Sequence, residues 1–132
     1  MIKAFDHVAV PMESVDAMLS FYRTLGCNIV EEYQGFIHAV YFGDNKINFH
    51  APVAWQSEGF SLRGNSALPG CGDFCFVWQG SQQSLCSVLN EAGVAIEEGP
   101  VERVGGRGGG TNGTSVYVRD PDRNLLEFII YE

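Results

Sequence analysis

Basic residues are scarce in this chain: 8 Lys and Arg stand against 16 Asp and Glu among 132 residues, a formal net charge of -8. No cluster of them marks a phosphate-tracking stripe, so neither nucleic acid nor an anionic membrane is expected as a partner. No stretch reaches the roughly 18 consecutive apolar residues that span a bilayer. Met1 to Val10 carries Asp6 and His7 where a secretory leader would have its apolar core, which makes a cytoplasmic location the expectation. The four cysteines, Cys27, Cys71, Cys75 and Cys86, form no CxxC pair and read as small buried apolar side chains in a reducing compartment. The glycine-dense run 105–113 lacks the Lys-Ser or Lys-Thr of a phosphate loop, so no nucleotide site is expected there. A lid beside a site is compatible with it, with Arg103 or Arg107 meeting an anionic substrate.

What the chain does contain suits one packed unit: 45% hydrophobic and 12% aromatic residues fill a core at this length. Ala4 to Val10 alternates with period two and predicts a strand, with Phe5, His7 and Ala9 on one face. Ser14 is placed to cap a helix whose stripe is Val15, Met18, Leu19, Tyr22 and Leu25, ending at Gly26. Short β-rich runs follow at 28–33, 36–42 and 46–50. A Gly- and Pro-rich arm spans 52–72. The plan then repeats: a strand at 73–78, a helix with Leu85, Val88, Leu89 and Ala92 ending at Gly93, and strands at 94–97, 115–119 and 124–131. Two copies of one βαβββ unit are therefore expected, residues 1–51 and 73–132, in a single domain over 1–132. In the arm, Trp55, Phe60 and Leu62 suit a cavity mouth or a contact with a second copy.

Within the duplicated plan His7, His50 and Glu127 take equivalent strand positions, and Asp73 holds the remaining one. Alternation sends His7, Lys46, Asn48, His50, Asp73, Cys75, Tyr117 and Glu127 to one side of the sheets, expected to be the inside. Two imidazoles and a carboxylate form a facial triad that suits Fe(II) or another divalent ion and leaves positions open for substrate. Such an ion acts as a Lewis acid on bound oxygens. Glu127 interrupts an apolar run and is costly to bury unless paired or metal-bound, Arg119 or Arg123 being the ordinary partners. His38 has no counterpart in the other half and reads as structural.

Four segments together resemble the vicinal oxygen chelate superfamily of glyoxalase I, extradiol dioxygenases and fosfomycin and bleomycin resistance proteins. They are Phe5-Asp6-His7-Val8-Ala9-Val10, Phe21-Tyr22-Arg23-Thr24-Leu25-Gly26, Lys46-Ile47-Asn48-Phe49-His50, and Arg119 through Glu127. The resemblance covers essentially the whole chain. It implies an α+β fold in which two βαβββ modules form a cupped, partly open mixed β-barrel around a divalent metal: Fe, Mn, Ni, Co or Zn. It puts His7, His50 and Glu127 on ligand positions. Asp73 falls where relatives carry a fourth ligand, usually His or Glu, and Arg123 stands where the superfamily most often has Gly. The implied function is a glyoxalase-like lyase or isomerase whose small substrate chelates the metal through adjacent oxygens. Glu127 would be its general base, with Tyr117 and Asn48 hydrogen-bonding the developing oxyanion. The alternatives are an Fe(II) ring-cleaving dioxygenase and a non-catalytic small-molecule-binding protein. The family also implies a homodimer.

Overall fold

A computed structural model describes residues 1–132. The first module is β1 (Val8–Pro11), α1 (Val15–Thr24), β2 (Asn28–Glu32), β3 (Ile37–Phe42) and β4 (Asn45–His50). A one-turn helix, α2 (Pro52–Trp55), leads into the arm. The second module is β5 (Asp73–Val77), α3 (Gln82–Glu91), β6 (Glu98–Val104), β7 (Asn112–Arg119) and β8 (Leu125–Ile130). Each module builds its own four-stranded mixed sheet, in the orders β1-β4-β3-β2 and β5-β8-β7-β6. The α+β class and the duplicated βαβββ plan are as the sequence implies, and the two sheets do not close into a barrel.

Several boundaries differ from expectation for local reasons. Val8 pairs with Ile47, two residues after β4 begins, so residues 4 and 5 have no strand beside them and β1 starts late. Residues 94–97 are not a strand: Val94 N–H returns to Leu89 O and finishes the helix end, where Gly93 takes φ 76°. Ser14 sits at the start of α1, but its side chain caps nothing. The carboxylate of Asp122, from the other module, accepts from Glu13 N and Ser14 N at 2.7 and 2.9 Å. Cys71 and Cys75 are exposed rather than buried.

One core serves both modules. Val10, Ile47, Phe49 and Val40 from the first sheet, Val116, Val118, Leu126 and Phe128 from the second, and residues of α1 and α3 form a single buried cluster. Phe42 meets Phe76 edge-to-face across it, ring centroids 5.2 Å apart. The helix-bearing faces of the two sheets thus share the core. The opposite faces carry Ala9, Lys46, Asn48 and His50 on one sheet, and Asp73, Cys75, Ser115, Tyr117 and Glu127 on the other. Within one chain this is the outer side, not the inside that alternation alone suggested. Apolar side chains stand exposed on it, Val30 at 41% and Val77 at 47%, which marks a surface short of a partner.

The β7–β8 turn locks the modules together. Asp120 is buried and accepts from Asn124 N, Asn124 Nδ2, Asp122 N and the Tyr22 hydroxyl of α1. Asn124 in turn accepts from Gly72 N at 2.8 Å, fixing the start of β5. Arg123 takes φ 74° in this turn, the left-handed conformation that explains why a glycine suits the position.

Candidate functional site

Strand register decides which residues are equivalent in the two halves. In the first sheet Val8 pairs with Ile47 and Ala9 with Asn48; in the second, Phe74 pairs with Leu126 and Cys75 with Glu127. His7 therefore corresponds to Asp73, and Asn48 corresponds to Glu127. His50, paired with Pro11, corresponds to Ile129, paired with Val77. The equivalence that placed His50 beside Glu127 is corrected by this register: His50 lies two residues further along β4.

On the second sheet Glu127 is half-buried and held by the Ser115 hydroxyl, which donates to Oε1 at 2.6 Å. Ser115 was not legible as a partner, although it lies two residues from Tyr117 and so shares its face. Neither Arg119 nor Arg123 pairs with Glu127; Arg119 instead reaches Glu97 at 3.3 Å. Cys75 lies alongside, its thiol pushed up to about 12 by burial first, then by the Glu127 and Asp73 carboxylates. Tyr117, the cross-strand neighbour of Glu127, accepts a hydrogen bond from Arg103 Nε at 3.1 Å while the guanidinium stacks over its ring. Its own hydroxyl proton remains free to donate.

On the first sheet His7 precedes β1 with its side chain 44% exposed, Nδ1 hydrogen-bonded to Asp6 at 2.6 Å. Both partners face solvent, so the pair contributes little stability. Asn48 is buried, and its Oδ1 has no hydrogen-bond partner. His50 lies under the arm, where the Phe60 ring meets it edge-on at 5.2 Å. Burial, then the charge of Arg63, pushes the His50 imidazole below its ordinary value. Lys46 is taken by both carboxylate oxygens of Glu32, at 2.8 and 3.2 Å. His38 shares the core-side face with its neighbour across the strands, Phe49.

His7, Asp73, Cys75 and Arg107 line one cleft of about 600 Å³ between the edges of β1 and β5; Glu127 and His50 do not line it. No three His, Cys, Asp or Glu side chains converge within the single chain as a metal site needs. The donors nevertheless suit a divalent cation, one imidazole with two carboxylates. They are divided, His7 on one sheet and Asp73 with Glu127 on the other.

A model of the Glyoxalase/Bleomycin resistance protein/Dioxygenase superfamily matches residues 4–128. The chain belongs to this superfamily. Among its relatives is the glyoxalase domain-containing protein RDO1 of Mycosarcoma maydis, 35% identical over 99% of this chain and 70% of that one. The virulence protein STM3117 of Salmonella typhimurium is 34% identical over 98% of this chain and 85% of that one. Its crystal structure superposes with a TM-score of 0.84, covering 100% of this chain and 99% of that one. A more distant superfamily member, the fosfomycin resistance protein FosX of Listeria monocytogenes complexed with Mn(II), shares the fold at 15% identity and a TM-score of 0.65. That match covers 98% of this chain and 90% of that one. Divalent metals and small-molecule ligands are common in the superfamily. No helix of this chain is long and apolar enough to cross a membrane.

Proposed function

We propose that this superfamily member is a homodimeric, metal-dependent enzyme of the glyoxalase kind, acting on a small substrate that chelates the cation through two adjacent oxygens. The observation that carries the reading is the division of donors: Asp73 and Glu127 stand on one open face, His7 at the matching place on the other, and each sheet holds an incomplete set. A second copy laying its first sheet against the second sheet of this one completes the set from His7 of one chain with Asp73 and Glu127 of its partner. Isologous pairing gives two such sites per dimer. When bound, a divalent cation at these residues supplies Lewis acidity to substrate oxygens.

The remaining steps belong to the chain. Ser115 fixes one oxygen of Glu127, leaving the other to take a proton from the carbon beside a substrate carbonyl. Tyr117 donates its free hydroxyl proton to the oxygen on which charge develops, and the Arg103 guanidinium behind it steadies that charge. The open face of the first sheet carries no histidine besides His7 and His50, since His38 points to the core side. This favours proton transfer over ring cleavage.

Elemental analysis and titration with Mn(II), Ni(II), Co(II), Zn(II) and anaerobic Fe(II) test the reading. Uptake approaching one ion per chain, lost in Glu127→Gln and Asp73→Asn with the fold retained by circular dichroism, is the expected result. Uptake below about a tenth of an equivalent at neutral pH would contradict it.

A further inference from the structure

Two polar side chains on the open face of β4, Asn48 and His50, are buried to 8% and 7% exposure. Asn48 Oδ1 is the one buried side-chain nitrogen or oxygen without a hydrogen bond, and no hydrogen bond engages the His50 imidazole. Native proteins rarely leave a buried acceptor empty, because its lost hydration is uncompensated. The chain supplies no donor: Lys46, two residues away on the same face, is held by Glu32, and the cross-strand neighbours of Asn48 are Ala9 and Ala39. These methyl groups leave room above the amide. On its far side His50 is closed off by Phe60 from the arm.

We infer that Asn48 and His50 form a subsite for a hydroxyl-bearing ligand, Asn48 Oδ1 accepting the hydroxyl proton while the His50 ring meets a neighbouring oxygen. The carbon body of the ligand rests on Ala9 and Ala39, and Phe60 covers it. The class of ligand is a small vicinal diol or hydroxycarbonyl compound. Asn48, expected from the sequence to donate to an oxyanion, serves here through its acceptor. The inference deepens the proposed function by naming the substrate's chemical class, and rests on that reading only in taking this face as the substrate side.

Propane-1,2-diol and its diether, 1,2-dimethoxypropane, test the subsite without metal. The full-length protein, kept in EDTA, is titrated with each while the Asn48 side-chain amide and the His50 ring are followed by NMR. A ligand this small binds at about millimolar strength at best. The diol is expected to shift both sets of resonances saturably and the diether to leave them unmoved, since it has no proton to donate. Asn48→Leu, which removes the acceptor at similar volume, is expected to weaken diol binding at least about tenfold and to fold with no loss in melting temperature. Equal shifts by diol and diether, no saturable shift, or retained binding in Asn48→Leu would overturn the subsite. So would an Asn48 amide resonance that moves on protein dilution alone, for the donor is then a second copy. The wild-type comparison stands even where the variant fails to fold. Because metal is absent throughout, a failed subsite leaves the metal proposal intact, and failed metal uptake leaves this result intact.

Discussion

The Tyr22 hydroxyl donates to the buried carboxylate of Asp120 at 2.8 Å, tying the helix of one module to the β7–β8 turn of the other. Burial raises the pKa of Asp120, and its hydrogen bonds from Asn124 and Tyr22 act against that rise. Tyr22→Phe keeps the ring packing and removes one donor from a buried acceptor, so a loss of about 1–3 kcal/mol is expected. Urea unfolding of the two proteins measures it, and a loss below about 0.5 kcal/mol would show that the clamp does not join the modules.

Cys75 reports on Glu127. Its thiol is pushed up to about 12 by burial and then by the neighbouring carboxylates, so it stays protonated and slow to alkylate at neutral and mildly alkaline pH. Glu127→Gln removes the charge and is expected to speed iodoacetamide modification of Cys75, with exposed Cys71 as the internal reference. Peptide mapping after timed alkylation reads both. An unchanged Cys75 rate would separate the two side chains in solution.

Stability should fall on acidification through His50. Its pKa in the folded chain lies below the ordinary 6.5 because burial, and then Arg63, disfavour the cation. The unfolded chain then binds the proton more readily, so the contribution of neutral His50 is full above about pH 6.5 and declines below it, toward the folded value. His50→Gln is expected to flatten the stability profile between pH 7 and 5. Parallel slopes for the two proteins would remove His50 from the account.

Arg123 adopts φ 74° in the turn that carries Asp120 and Asn124. An L-residue there costs roughly 1–2 kcal/mol, partly offset in a glycine variant by greater freedom of the unfolded chain. Arg123→Gly is accordingly expected to hold or raise stability, by up to about 1 kcal/mol. A loss of more than about 1 kcal/mol in thermal or urea unfolding would show that the Arg123 side chain carries weight the backbone does not reveal.

Periodicity made the duplicated βαβββ plan legible, because strand alternation and helical stripes are local signals: Leu85, Val88 and Leu89 marked α3 directly. Register was not legible, because it depends on pairing across the sheet, and a two-residue slip along β4 is what separates His50 from Asn48. Nor was the sharing of one core by both helix-bearing faces, since alternation says which residues lie together and not which face is covered. The Ser115–Glu127 bond and the Asp122 cap on α1 join positions 12 and 108 or 109 residues apart. No local pattern announces such pairs.

Subunit mixing puts the metal proposal to its most direct trial. His7→Ala and Glu127→Ala proteins are each expected to bind almost no metal. Mixed and allowed to exchange chains, they form heterodimers in which one site has intact His7 from one copy and intact Glu127 from the other. Metal content should then recover to about a quarter of the wild-type level at random pairing. No recovery in a mixture shown to have exchanged subunits would contradict a centre shared between two chains.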